Sequence, residues 1–224
     1  MKKLCVGLMT IVLAFSFTSC STNETDIEIP QEALLKSYKL QRDASGAYSI
    51  DYVVADNTTS NVTKDVSSLT NEINLSRSAQ KTKNDLREEF KLDNNKLSVG
   101  FVDAETGKKS KFTIEDENIT LAKGGDNGEF LKTFGLATNN DGSIQLDFEV
   151  NNNIVTEFVY NEELTIYEVH LKKGTTNDKV FSRAIEMPDT GVLRIDFVNH
   201  KFLGKGLVET TERKPITTIE DGFY

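Results

Sequence analysis

Apolar and polar residues alternate with a period of two along most of the chain beyond Lys36, the pattern of strands that keep one face wet. The clearest stretch is 143–198, where Ile144, Leu146, Phe148 and Val150 share one face and Gln145, Asp147 and Glu149 the other. Asn151, Asn152 and Asn153 turn this strand into one over 154–160. Asn161, Glu162 and Glu163 turn that into one over 164–172, and strands over 180–185 and 192–198 follow. Strand starts at 143, 154, 164, 180 and 191 predict an all-β fold, an antiparallel meander closed as a sandwich or (half-)barrel with at most one or two short helices. Upstream, Tyr48, Ile50, Tyr52 and Val54 alternate with polar neighbours, and the turn residues Asp43 to Gly46 make 36–42 and 47–55 a hairpin. A helix over 31–40 competes, because Leu34, Leu35 and Tyr38 also satisfy helical spacing. A second short helix competes over 80–90. Residues 56–68 read as a polar loop, 73–76 as a short strand, 89–92 and 97–102 as a tight hairpin, and 112–115 and 118–123 as further strands. No repeat of fixed period stands out.

The N-terminus follows a different logic. Lys2 and Lys3 precede residues 4–17, an apolar run of 17 − 4 + 1 = 14 residues, too short to span a ~30 Å hydrocarbon core. It reads as the apolar region of a secretory signal. Phe17, Thr18, Ser19 and Cys20 then resemble the lipobox of bacterial lipoproteins, in which small residues precede a cysteine that is acylated and becomes the first residue of the mature chain. The resemblance covers the leader alone. It implies that Cys20 carries diacylglycerol, and two or three acyl chains give lasting membrane attachment where one is marginal. Ser21 after the cysteine implies the outer membrane, and the spaced acids Glu24, Asp26 and Glu28 resemble the acidic tether of envelope lipoproteins of Bacteroidota. The expected organisation is a signal peptide over 1–19, a lipidated cysteine and acidic tether over 20–33, a single antiparallel β domain over 34–203, and a final strand or loose tail over 204–224.

Charge and cysteine count narrow the chemistry. The whole chain carries 26 − 35 = −9, and without its leader lysines 24 − 35 = −11. Nucleic acid is therefore not expected as a partner. Cys5 leaves with the leader and Cys20 is consumed by acylation, so no disulfide, thiolate nucleophile or cysteine-bound metal is expected in the folded part. The imidazoles are His170 and His200, thirty residues apart and outside the spacing of a metalloprotease helix, and no nucleophile elbow accompanies them. His170 falls on the polar face of its strand, as a solvated histidine.

Other constellations reduce to turns and solvated faces. Asn139, Asn140, Asp141 and Gly142 suggest a calcium loop, but Ala137 and Phe148 stand where its ligands belong. The glycines of 123–128 lack the lysine of a phosphate loop. The acids Glu88 and Glu89, Glu115 to Glu117, and Glu162 and Glu163 read as turn residues, although a glycosidase pair needs no more than two carboxylates ~5–10 Å apart. Tyr48, Tyr52, Tyr160 and Tyr167 are candidates for stacking on sugars, with core packing the first expectation. The expected function is a non-enzymatic, outer-membrane, lipid-anchored module that binds an envelope protein, with Cys20 its one assigned site residue and no cofactor. Three alternatives are a surface glycan-binding accessory, an extracytoplasmic hydrolase using acids or His170, and a carrier of apolar cargo.

Overall fold

The computed structural model describes residues 33–116, 130–139, 141–203 and 208–222, and the signal, Cys20 and the tether lie outside them. Fourteen strands follow one another: β1 (Leu35–Arg42), β2 (Tyr48–Val54), β3 (Thr58–Asp65), β4 (Thr70–Arg77), β5 (Asp85–Phe90), β6 (Lys96–Asp103), β7 (Lys109–Glu115), β8 (Leu131–Thr138), β9 (Ile144–Val150), β10 (Ile154–Asn161), β11 (Ile166–Lys173), β12 (Val180–Ile185), β13 (Val192–Leu203) and β14 (Val208–Asp221). They form a sandwich of two sheets, one ordered β12-β9-β8-β1-β2-β5 and the other β10-β11-β13-β14-β7-β6-β4-β3. The alternating side chains of 143–198 turn their apolar faces inward here, with Ile144, Leu146, Phe148, Val169, Leu171, Leu193, Ile195 and Phe197 all buried.

Several expectations are corrected. Among the described residues neither competing helix forms, because 35–40 belong to β1 and 85–90 to β5. The polar run 56–68 contains β3, a strand whose side chains are mostly wet because it is the last strand of the larger sheet. Residues 89–92 and 97–102 do not pair as a hairpin: β5 lies in the smaller sheet and β6 in the larger, joined at a single bridge between Asp93 and Lys96. The chain therefore hops between sheets, and its pairings are antiparallel except for β4 with β6 and β11 with β13, which run parallel. Residues 208–221 are the strand β14, held between β13 and β7 near the middle of the larger sheet. The strand expected over 118–123 and the glycines of 123–128 lie outside the described residues.

A structural repeat, not of strictly fixed period, organises the fold. Strands β1 to β7 are laid down as two in the smaller sheet, two in the larger, one in the smaller and two in the larger, and β8 to β14 follow the same order. Leu35 corresponds to Leu131 and Tyr48 to Ile144, an offset of 131 − 35 = 96 residues that becomes 185 − 90 = 95 for β5 and β12 and 220 − 115 = 105 for β7 and β14. Registers repeat with it: Arg42 faces Tyr48 as Thr138 faces Ile144, and Asn71 faces Val99 as Tyr167 faces Ile195. Even the bends agree. The turns at Gly46 and Gly142 have φ of 83° and 82°, the left-handed region that glycine enters at no steric cost, and Asn57 and Asn153 have 58° and 60°. The two halves meet across a local twofold axis, along which Leu40 pairs with its own counterpart Leu136 in the smaller sheet and Thr113 with Thr218 in the larger.

The core is built twice in the same way. Phe101 of β6 has its ring centroid 5.3 Å from Tyr52 and 5.9 Å from Tyr38; its counterpart Phe197 lies 5.6 Å from Phe148 and 5.4 Å from Phe134. Offset and edge-on contacts at these distances add to the burial of large apolar surfaces. One polar group breaks the symmetry. Arg42 and Asp116 form a buried ion pair of 2.7 Å, and the Tyr48 hydroxyl donates to the same Asp116 oxygen at 2.7 Å. Asp116, expected as a solvated turn acid, instead fastens the end of β7 to the smaller sheet. Burial first, and then the Asp116 carboxylate, push the Tyr48 hydroxyl far above its ordinary pKa, so it stays protonated as a donor.

Candidate functional site

The outer face of the six-stranded sheet carries a trough. Two hollows of about 710 Å³ each lie along it and share Lys39 and Arg87 in their walls. Strand alternation explains the lining: with Tyr48, Ile50, Phe134 and Phe148 turned into the core, the residues between them, Ser49, Asp51, Gly135 and Asp147, face outward. The floor lies beside the twofold axis. A Cβ on Gly135 would come within 3.3 Å of the Leu40 carbonyl oxygen, a tight approach, and within 3.5 Å of the Lys39 Cε, so glycine leaves the floor open there. The walls carry both signs of charge. Arg87 donates to Asp51 at 2.9 Å, the Lys132 ammonium sits 2.6 Å from Glu149, and Ser182 donates to Asp147 at 2.6 Å.

A second polar cluster occupies the outer face of the eight-stranded sheet, in the second repeat only. Glu168 of β11 and Asp196 of β13 are adjacent in the parallel register, and their carboxylates are almost fully buried. Arg194 grips Asp196 with two hydrogen bonds of 2.9 and 3.0 Å, a fork-to-fork geometry available to guanidinium. Arg213 of β14 bonds Glu168 at 2.5 Å and reaches Asp196 at 3.4 Å. Burial pushes the Glu168 carboxyl upward, but hydrogen bonds from Arg213, His170 and Asn161 outweigh it and hold the group below the usual glutamate range. The hydrogen bond to Glu168 in turn raises Arg213. A carboxylate kept ionised in this way is an acceptor and not a general acid.

His170 is not simply solvated. Its Nε2 lies 2.7 Å from Glu168 Oε2 and its Nδ1 2.7 Å from His200 Nε2, so the fold joins the two imidazoles that the sequence separates by thirty residues. The sister repeat shows the difference. At the position of Glu168 it has Glu72, whose partner Lys109 is 3.9 Å away and well exposed, and at the position of His170 it has Asn74. Among the described residues, no three His, Cys, Asp or Glu side chains converge as a set of metal ligands.

Aromatic residues of the second repeat make a third feature. Tyr48 and Tyr52 are buried in the core, whereas Tyr160 is 46% exposed. Tyr160 packs on Tyr167 at 4.8 Å, Tyr167 stacks on Phe158 at 5.5 Å, and the Arg183 guanidinium sits 5.8 Å from the Phe158 ring centre. The first repeat has Val62, Lys64 and Asn71 at the places of Phe158, Tyr160 and Tyr167.

Asn139, Asp141, Gly142 and Ser143 lie between β8 and β9, where the Asn139 amide donates to the Ser143 carbonyl and the Gly142 amide to the Asn139 carbonyl. Glu162 and Glu163 are exposed at the β10–β11 turn, and Glu115 bonds Lys96 at 2.8 Å. Cys20 lies outside the described residues. The fold and these surfaces define a class, a two-repeat β-sandwich with a polar trough on one sheet and a charged histidine cluster on the other. No family model, curated protein or solved structure matches the chain.

Proposed function

We propose that the protein is a lipid-anchored outer-membrane lipoprotein whose β-sandwich binds another envelope component, an envelope protein, without catalysing a reaction. The observation that carries the binding role is the trough on the six-stranded sheet, where side chains of both charge signs line a floor left open at Gly135. Such a surface suits a polar partner segment whose charges answer Lys39, Arg87, Asp147 and Glu149. The anchor rests on the lipobox-like Phe17, Thr18, Ser19 and Cys20 after the apolar run of 4–17. Replacing Cys20 with Ala is expected to move the protein from the membrane to the soluble envelope fraction. A photo-crosslinker at Gln41, on the trough wall, is expected to capture one protein in intact envelopes. Unchanged fractionation together with an unacylated N-terminus in mass spectrometry overturns the anchor, and the absence of a protein adduct at Gln41 overturns the partner.

A glycan-binding accessory is a second reading, favoured by Tyr160, 46% exposed and packed on the half-buried Tyr167, since aromatic faces stack on sugar rings. Under it, Tyr160→Ala and Tyr167→Ala abolish retardation on polysaccharide affinity gels while the Gln41 crosslinker captures nothing. The opposite pattern leaves the trough as the binding face.

A further inference from the structure

His170 and His200 are the only imidazoles in the chain, and both cysteines fall within residues 1–20. Their ring centroids are 4.9 Å apart and their planes inclined by 28°. With the Nδ1 of one and the Nε2 of the other at 2.7 Å, the rings meet edge to edge, nitrogen facing nitrogen. The far side of His170 decides which nitrogen holds the proton. Glu168, buried and ionised under Arg213 and Asn161, only accepts hydrogen bonds, so His170 carries its proton on Nε2 and turns the Nδ1 lone pair toward His200. A carboxylate behind an imidazole, fixing its tautomer and raising its basicity, is the arrangement that supports metal-ligating histidines.

We infer that His170 Nδ1 and His200 Nε2 form a two-nitrogen site for one borderline divalent transition ion of the zinc, nickel or copper class. The ion takes the place of the proton that His200 Nε2 donates to His170, and that proton shifts to the other nitrogen of the His200 ring, so both rings stay neutral. Metal–nitrogen distances of ~2.0–2.1 Å with tetrahedral angles require the nitrogens to open to ~3.3 Å, a small ring displacement from 2.7 Å. The His170 side chain is 25% exposed, so water completes the coordination. The surrounding charges balance: Glu168 and Asp196 face Arg194 and Arg213, and exposed Glu157 and Lys172 flank the pair from β10 and β11. Imidazole nitrogens favour these ions over calcium or magnesium, which take oxygen ligands.

The test uses the untagged full-length chain titrated with Zn²⁺, Ni²⁺ or Cu²⁺, read by calorimetry and by the imidazole proton resonances. One ion per chain is expected, with both histidine signals shifting or broadening together in the wild-type protein. Glu168→Gln is expected to weaken binding ~10- to 100-fold, as loss of an orienting carboxylate does. His170→Asn, which installs the residue that the sister repeat carries at Asn74, is expected to abolish it while leaving thermal unfolding intact. Two results overturn the site: imidazole signals that ignore added metal up to millimolar concentration, or a bound ion that persists unchanged in His170→Asn.

Discussion

Buried Arg42 shows how a single charge is tolerated in a β-sandwich. Its guanidinium is 1% exposed and satisfied by Asp116 and by the carbonyl of Lys132 at 3.2 Å. Removing one partner of such a pair leaves the other charge in a dry interior, at a cost of about 3–5 kcal/mol. Arg42→Met is therefore expected to lower the urea-unfolding free energy by that amount, and adding Asp116→Asn to recover most of it. If the double variant is no more stable than the single one, the loss is one of packing and not of charge. A smaller device sits at the β3–β4 turn. Asp65 accepts hydrogen bonds first from the Ser68 hydroxyl and then from the hydroxyl and amide of Ser67, which lower its pKa to about 2. The sign follows from that shift: the turn is supported above the unfolded-state value of 3.8 and loses this support as the pH falls through about 2. An NMR titration of the Asp65 carboxyl is expected to give a midpoint near 2, returning toward 3.8 in the double variant Ser67→Ala, Ser68→Ala.

At the level of elements, burial on one face made β9, β11 and β13 legible, since strict alternation in 143–198 needs no knowledge of partners. Two edge strands, β3 and β5, escaped the same reading, although β10 and β12 at the opposite edges did not. β3 buries Thr58 alone, and β5 turns only Leu86 and Phe90 to the core between the polar Asp85, Arg87 and Glu89. Charged, wet edges of this kind also discourage pairing with other chains. Alternation is silent, too, about which sheet a strand joins. That is why the parallel β11–β13 pairing, which brings His200 to His170 and Glu168 beside Asp196, left no mark in the sequence. The matched clusters around Phe101 and Phe197 give this level its own test. Phe101→Ala and Phe197→Ala are each expected to cost about 3–5 kcal/mol in equilibrium denaturation. Because both sheets run through both repeats, each variant should still unfold in one transition by circular dichroism and by tyrosine fluorescence. A repeat that melted separately would produce two.

The whole molecule is held together at two seams, β1 against β8 and β7 against β14, both lying across the twofold axis. Each half packs an aromatic cluster of its own, but without the other its seam strands, β1 and β7 or β8 and β14, lose a hydrogen-bonded neighbour. A chain cut between residues 116 and 130 and co-expressed as two fragments is accordingly expected to co-purify as a one-to-one complex with the intact protein's circular dichroism. The first fragment alone is expected to be unfolded or to dimerise through β1 and β7. A folded monomeric fragment in size-exclusion chromatography would contradict this dependence.

The offset of 96 residues also makes the molecule its own reference sequence. Where both halves keep a residue, as with Leu40 and Leu136, Gly46 and Gly142, or Asp51 and Asp147, the architecture accounts for it. Where they part company at structurally equivalent places, the shared fold alone does not dictate the residue. Lys39 against Gly135, Lys64 against Tyr160 and Asn74 against His170 are such places, and they fall in the trough, the aromatic ladder and the histidine pair. Exchanging residues between sister positions thus separates what this chain needs in order to fold from what it has acquired in order to act.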